Sequence, residues 1–192
     1  GTFAFTVQVA TDGTYEYHVH QASHLTGIES SETSLVWIRD TTAPPMPVIT
    51  APGANPYASG DTTFALKGTC ESDARVVLGG DQAASQTCVN GAFRFDLSSG
   101  VSGVHDYVVT QTDRAGNASP QRTFQWLRDT AIPPTPVLSQ PSSFAFTSNG
   151  STITIAGSCA GTNIVKVNGA ASASIPCSGG AFQCTSSHGC SR

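Results

Sequence analysis

The sequence predicts an all-β fold built of antiparallel β-sandwich units in tandem, about 89 residues per unit. Three observations carry that prediction. Apolar and polar residues alternate in short runs, and no stretch shows a helical period. Turn signals such as Thr11-Asp12-Gly13, Gly79-Gly80-Asp81 and Asn90-Gly91 separate the runs. The string Trp37-Ile38-Arg39-Asp40-Thr41-Thr42-Ala43-Pro44-Pro45-Met46-Pro47 returns, lightly edited, as Trp126-Leu127-Arg128-Asp129-Thr130-Ala131-Ile132-Pro133-Pro134-Thr135-Pro136, and Trp126 minus Trp37 sets the period of 89. Each copy reads as the last strand of one unit, a stiff joint and the approach to the next unit, because proline withholds its N–H and favours extended backbone.

The period holds elsewhere. Adding 89 to Gly68, Cys70, Cys88, Gly91 and Phe93 gives Gly157, Cys159, Cys177, Gly180 and Phe182, while Gly91, Phe93, Phe95, Tyr107 and Gln111 follow Gly1, Phe3, Phe5, Tyr17 and Gln21 by 90. The chain therefore divides into residues 1–42, the last three strands of one unit; 43–131, a complete unit; and 132–192, the front of a third with an atypical cysteine-containing tail.

Taken in order, residues 2–9, 15–21 and 34–39 alternate and read as strands. The middle segment offers strands at 47–51, 62–70, 74–78, 84–88, 92–97, 104–112 and 121–128, with 54–61 as a loop. Seven short strands with frequent turns describe an immunoglobulin-like sandwich. The bridge usual between its second and sixth strands is missing; Cys70 and Cys88 tie a local segment instead. Residues from 136, then 152–155, 164–167 and 174–177, repeat the first four strands. Register is expected to fail after Phe182, since 183–192 lacks alternation, the tail being either a truncated or altered end or a small Cys184–Cys190 disulfide loop.

Composition bounds the function. A unit this small buries a modest core and calls for a staple. The six cysteines include two pairs 18 residues apart, and no Cys-x-x-Cys or neighbouring His completes a zinc set. Disulfides Cys70–Cys88 and Cys159–Cys177 are expected, each worth roughly 3 kcal/mol in the chain-entropy account, in an extracellular or cell-surface setting. Charged residues make up 11% of the chain, the net charge is −4 and there are two lysines, so nucleic acid is not an expected partner. No run of about 20 apolar residues exists to span a membrane. The chain begins at Gly1 within a strand pattern, as a piece cut from a longer secreted polypeptide would.

The segment Gly68-Thr69-Cys70-Glu71-Ser72-Asp73-Ala74-Arg75-Val76, together with Asn90-Gly91-Ala92-Phe93, Thr112-Asp113-Arg114-Ala115-Gly116-Asn117-Ala118-Ser119 and Asp129-Thr130 before the prolines, resembles the bacterial immunoglobulin-like repeats of large surface and secreted adhesin-like proteins. The cysteines depart from that pattern, as does Ser23-His24-Leu25-Thr26-Gly27, where the Asp-x-Ala-Gly-Asn turn is lost. The resemblance implies a non-catalytic spacer or stalk segment partnered by neighbouring repeats, with a glycan- or protein-binding module or an accessory domain of a secreted hydrolase as the alternatives.

Asp113 and Asn117 flank a glycine in a turn, where their side chains can bond backbone N–H groups. The resemblance also implies calcium at the joints, held by Asp40, Asp113, Asn117 and Asp129, since hard cations take carboxylate and carbonyl oxygens. His18 and His20 share one side of a strand and read as a solvent-facing pair, at a spacing that also suits a transition metal but with no third ligand apparent, and His188 lies between Cys184 and Cys190. Tyr17 and Tyr107 read as core tyrosines whose hydroxyls bond the backbone, and Trp37 and Trp126 as buried at a unit end. No Gly-x-Ser-x-Gly, His-Glu-x-x-His or phosphate-binding glycine loop occurs, and His105-Asp106 point to opposite faces of a strand, so no enzyme is expected.

Overall fold

The computed structural model describes residues 1–169 and 172–186, and the regular elements among them are all strands. The chain forms two compact units, Gly1–Thr130 and Ala131–Arg192.

The first unit opens with a ribbon of β1 (Gly13–Val19) and β2 (Thr33–Arg39), antiparallel from Gly13↔Arg39 to Val19↔Thr33. The following strands are β3 (Val48–Ala51), β4 (Tyr57–Ser59), β5 (Thr63–Thr69), β6 (Arg75–Gly80), β7 (Ala84–Thr87), β8 (Ala92–Ser98), β9 (Gly103–Thr112) and β10 (Arg122–Arg128). They make two sheets, ordered β3-β5-β8 and β4-β10-β9-β6-β7.

Alternation places one core between these sheets. Leu66, Phe93, Phe95 and Leu97 from the first face Val76, Leu78, Tyr107, Val109, Phe124 and Trp126 from the second, none more than 5% exposed. Each such apolar side chain gains about 1.5–3 kcal/mol from burial. On β8 the intervening Arg94 and Asp96 point outward and pair with each other. This arrangement is that of a β-sandwich.

Three expectations are corrected. Residues 2–9 do not form a strand, and Phe3 and Phe5 are 82% and 85% exposed. Their counterpart β8 is held by β5, and no strand among the described residues pairs with residues 2–9. Without a ladder partner, alternation alone does not make a strand. Conversely, the loop expected at 54–61 contains β4, which runs parallel to β10 with Trp126↔Tyr57 and Arg128↔Ser59. At three residues, and following Pro52 and Pro56, it is too short to alternate. The Asn55 side chain extends this pairing, its Nδ2 donating to the Thr123 carbonyl and its Oδ1 accepting from the Gln125 N–H at 3.0 Å.

The third correction concerns the second unit. Its strands are β11 (Val137–Gln140), β12 (Ile153–Ser158), β13 (Ile164–Val167), β14 (Ala173–Pro176) and β15 (Ala181–Ser186), arranged as β11-β12-β15 and β13-β14. Residues 183–186 thus continue a strand past Phe182. Phe182 and Cys184 are 4% and 5% exposed, so alternation survives with a cysteine where β8 has Phe95. Cys190 and His188 lie outside the described residues, and with them the Cys184–Cys190 pairing.

Register repeats at the same offset. Gly157↔Phe182 corresponds to Gly68↔Phe93, Leu138↔Gly157 to Ile49↔Gly68, and the shift between Leu138 and Gln140 to that between Ile49 and Ala51. Cys70–Cys88 and Cys159–Cys177 are both bonded, with Cα separations of 6.0 and 5.9 Å. Although close in sequence, Cys70 follows β5 and Cys88 follows β7, which belong to different sheets. The bridge therefore staples the sheets together at one end, more than the local tie expected. No cysteine among the described residues is free, which suits an oxidising compartment.

Gly68 shows how close the β3–β5–β8 sheet packs. A Cβ there would lie 2.2 Å from the Val48 carbonyl oxygen and 2.4 Å from the Phe93 ring. Gly68→Ala is expected to destabilise the first unit by about 1–3 kcal/mol, seen as a lower urea midpoint. Gly79→Ala, whose Cβ would meet nothing within 4 Å, should stay within about 0.5 kcal/mol of the parent.

Candidate functional site

The joint at residues 40–47 is rich in proline, so its carbonyls have few donors along their own chain and need them from elsewhere. Two side-chain amides of the following domain supply them. Asn117, in the turn after β9, donates from Nδ2 to the Asp40 carbonyl at 3.1 Å. Gln111, fully buried at the end of β9, donates from Nε2 to the Pro45 carbonyl. The Gln111 Oε1 accepts from the Glu71 N–H at 2.8 Å, and its N–H donates to Ser119 Oγ at 3.0 Å. The Gln111 side chain therefore fastens the joint and the turn after β5, and its backbone N–H fastens the turn before β10.

Asp113 closes the turn. Its Oδ1 accepts from the Asn117 N–H and its Oδ2 from Asn117 Nδ2, both at 2.9 Å. Bonding to the Asn117 side chain, helped by N–H groups at Asn117, Gly116 and Ala115, holds the Asp113 carboxyl below its ordinary 3.8. A calcium ion at this turn would have to displace the Asn117 amide, which already bridges the carboxylate and the Asp40 carbonyl. The Asp40 side chain accepts from the Thr42 N–H at 2.9 Å.

Asp129 lies at the other end of the domain, after β10, where its N–H donates to the Ser59 carbonyl at 3.0 Å. A strand of this length separates it from Asp113 by on the order of 20 Å. The four residues expected to hold calcium at the joints belong to two places, Asp40, Asp113 and Asn117 near one and Asp129 after β10. Among the described residues no group of three or more His, Cys, Asp or Glu is arranged to hold a metal ion.

A second constellation recurs at the end of each β-ribbon. Asp12 pairs with Arg39 and accepts from the Thr41 N–H at 3.0 Å and the Thr41 hydroxyl at 2.8 Å. These bonds, the backbone one foremost, hold the Asp12 carboxyl low. The equivalent positions are Ser102, Arg128 and Thr130. There the Ser102 and Thr130 hydroxyls are bonded, and the buried Arg128 guanidinium donates to the Asp61 carbonyl at 2.9 Å and to Ser102 Oγ and the Gly100 carbonyl at 3.4 Å. The same frame is charged in one copy and neutral at the carboxylate position in the other.

The histidines stand among carboxylates that sequence reading passed over. His18 lies 3.3 Å from Glu32 and 3.7 Å from Glu16, and His20 lies 3.6 Å from Glu29. His105 pairs with Asp81 rather than Asp106, at 2.9 Å through Nδ1, and its Nε2 is 3.0 Å from the Val101 carbonyl. Trp126 is fully buried, its Nε1 donating to Ser59 Oγ at 3.1 Å, whereas Trp37 is 37% exposed. Tyr107 is buried, and that burial pushes its hydroxyl pKa up; the hydroxyl has no hydrogen-bond partner, contrary to expectation. Gln111 was legible only as a position recurring at Gln21, whose N–H likewise donates to a serine hydroxyl, that of Ser30.

No protein-family model matches this chain, and neither does any curated protein. No helix among the described residues is long and apolar enough to cross a membrane.

Because the Asp113 carboxyl titrates lower in the folded chain, its contribution is fully present above pH about 4 and is lost as pH falls through the folded value. Asp113→Ala should therefore lower Tm at neutral pH, with the gap to the parent closing as a calorimetric series descends below 3.8.

Proposed function

We propose that this chain is a non-catalytic segment of an extracellular stalk: immunoglobulin-like units in tandem that hold a distal part of a bacterial surface or secreted adhesin-like protein away from its anchor. The observation that carries the reading is the parallel pairing of β4 with β10. These are an early and the last strand of the middle domain. A pull applied through its two ends drags parallel neighbours in opposite directions along their axis. All the hydrogen bonds between them then bear load together instead of opening one at a time.

Other features support the reading. The register of one unit recurs in the next at an offset of 89, each unit carries its own disulfide, and the joint's carbonyls are fastened by Asn117 and Gln111. Repeats that depend on nearest neighbours suit length and load.

Single-molecule pulling on residues 1–192 tests this. Ala58→Pro removes an N–H from β4 and restrains its neighbour, and the unfolding force of the middle domain is expected to fall sharply. The 18 residues behind Cys70–Cys88 should stay locked, so the oxidised domain releases about 60 Å less chain than the reduced one. An unchanged force in Ala58→Pro sinks the stalk reading, and selective capture of a glycan by the chain would favour the binding-module alternative.

A further inference from the structure

We propose that β8 is an edge built to pair with β8 of a second copy of this chain, and that the side-chain amides of Gln82 and Gln86 hold it shut. The inference concerns only the core between β3 and β10 and stands independently of any stalk function.

β8 is an outer strand of its sheet, bonded on one side by β5. Along an antiparallel strand, alternate residues turn both backbone groups to the same side. The Cys70 N–H donates to the Gly91 carbonyl at 3.0 Å, so odd-numbered residues face β5, while Arg94, Asp96 and Ser98 present their N–H and C=O groups to the open side. Such a row is a template for another strand.

Residues 82–89 lie along that row and cover it in steps. Val89 exchanges two backbone bonds with Ala92, at 3.1 and 3.3 Å. Past that point β7 bonds β6 alone, and a cleft of about 270 Å³ lies between β7 and β8, so side chains take over. Gln86 Nε2 donates to the Arg94 carbonyl at 2.8 Å, and Gln82 Oε1 accepts from the Ser98 N–H at 3.1 Å. A glutamine amide carries the donor and acceptor of a peptide group, and these two occupy places where a neighbouring strand would bond. Both glutamines are half-buried. The frame itself does not call for them, because Ala171 and Ile175 stand at the equivalent positions 89 residues on.

The occupant that this edge fits is its own copy. Set antiparallel about Phe95, two β8 strands bring Arg94 of each opposite Asp96 of the other. Arg94 and Asp96 share the outer face and are exposed, so opposite charges meet directly across the new ladder. The contact uses the same surface on both copies and closes on itself as a two-fold pair. With the amides in place each copy must give up two hydrogen bonds to enter it.

Gln82→Ala/Gln86→Ala in the 1–192 chain is expected to self-associate about tenfold more tightly than the parent in sedimentation equilibrium, with its circular dichroism unchanged. Adding Asp96→Arg sets like charges across the pair and should weaken that association roughly fivefold. Adding Arg94→Asp as well exchanges the two charges and should restore it. Hydrogen exchange on dilute protein reads the cover without association: the Ser98 N–H should exchange about tenfold faster in Gln82→Ala than in the parent. A double variant that associates no more tightly than the parent, association indifferent to the charge reversal, or equal exchange at Ser98 would each overturn the proposal. Loss of the fold in the double variant would do so too, since the amides would then serve the core and not the edge.

Discussion

A strand needs a partner to bond with, and that requirement decides more of this structure than side-chain pattern does. Residues 2–9 alternate as well as β8 does, yet only β8 has β5 beside it. Tyr57–Ser59 barely alternates and still forms a strand, because the edge of β10 is available. The equivalent stretch around Phe146 lacks that edge and stays irregular. Backbone N–H and C=O groups that find no partner within the fold stay with water, and the side chains between them then stay exposed.

This explains what could be read beforehand. Seven of the eight strands between Val48 and Arg128 were legible because each is long enough to alternate and each has its partner within the chain. The disulfide pairs were legible from their repeated spacing. β4 was hidden by its brevity, and the run at 183–186 because cysteine replaces phenylalanine on the inward face. Long-range polar choices left the weakest trace. Gln111 is one amide among many in the sequence, and only its burial against Pro45 and Glu71 gives it a role. Period places Asp129 with Asp40, one joint further along than Asp113.

The same frame carries different chemistry from copy to copy. Asp12 with Arg39 becomes Ser102 with Arg128, and the Asp113-to-Asn117 turn has Ser23 and Gly27 in its earlier copy. In that earlier turn backbone bonds take over, with the Gly27 N–H donating to the Ser23 carbonyl at 2.8 Å. Shape is retained while the charge that supports it is exchanged.

The fastening of Pro45 by Gln111 carries no formal charge on either partner, and its amide end is buried. Ionic strength screens exposed ion pairs and proton activity titrates carboxylates, but neither acts on an uncharged amide bonded to a carbonyl. The angle at which the domain meets its proline lead is accordingly held by a contact indifferent to brine or acid.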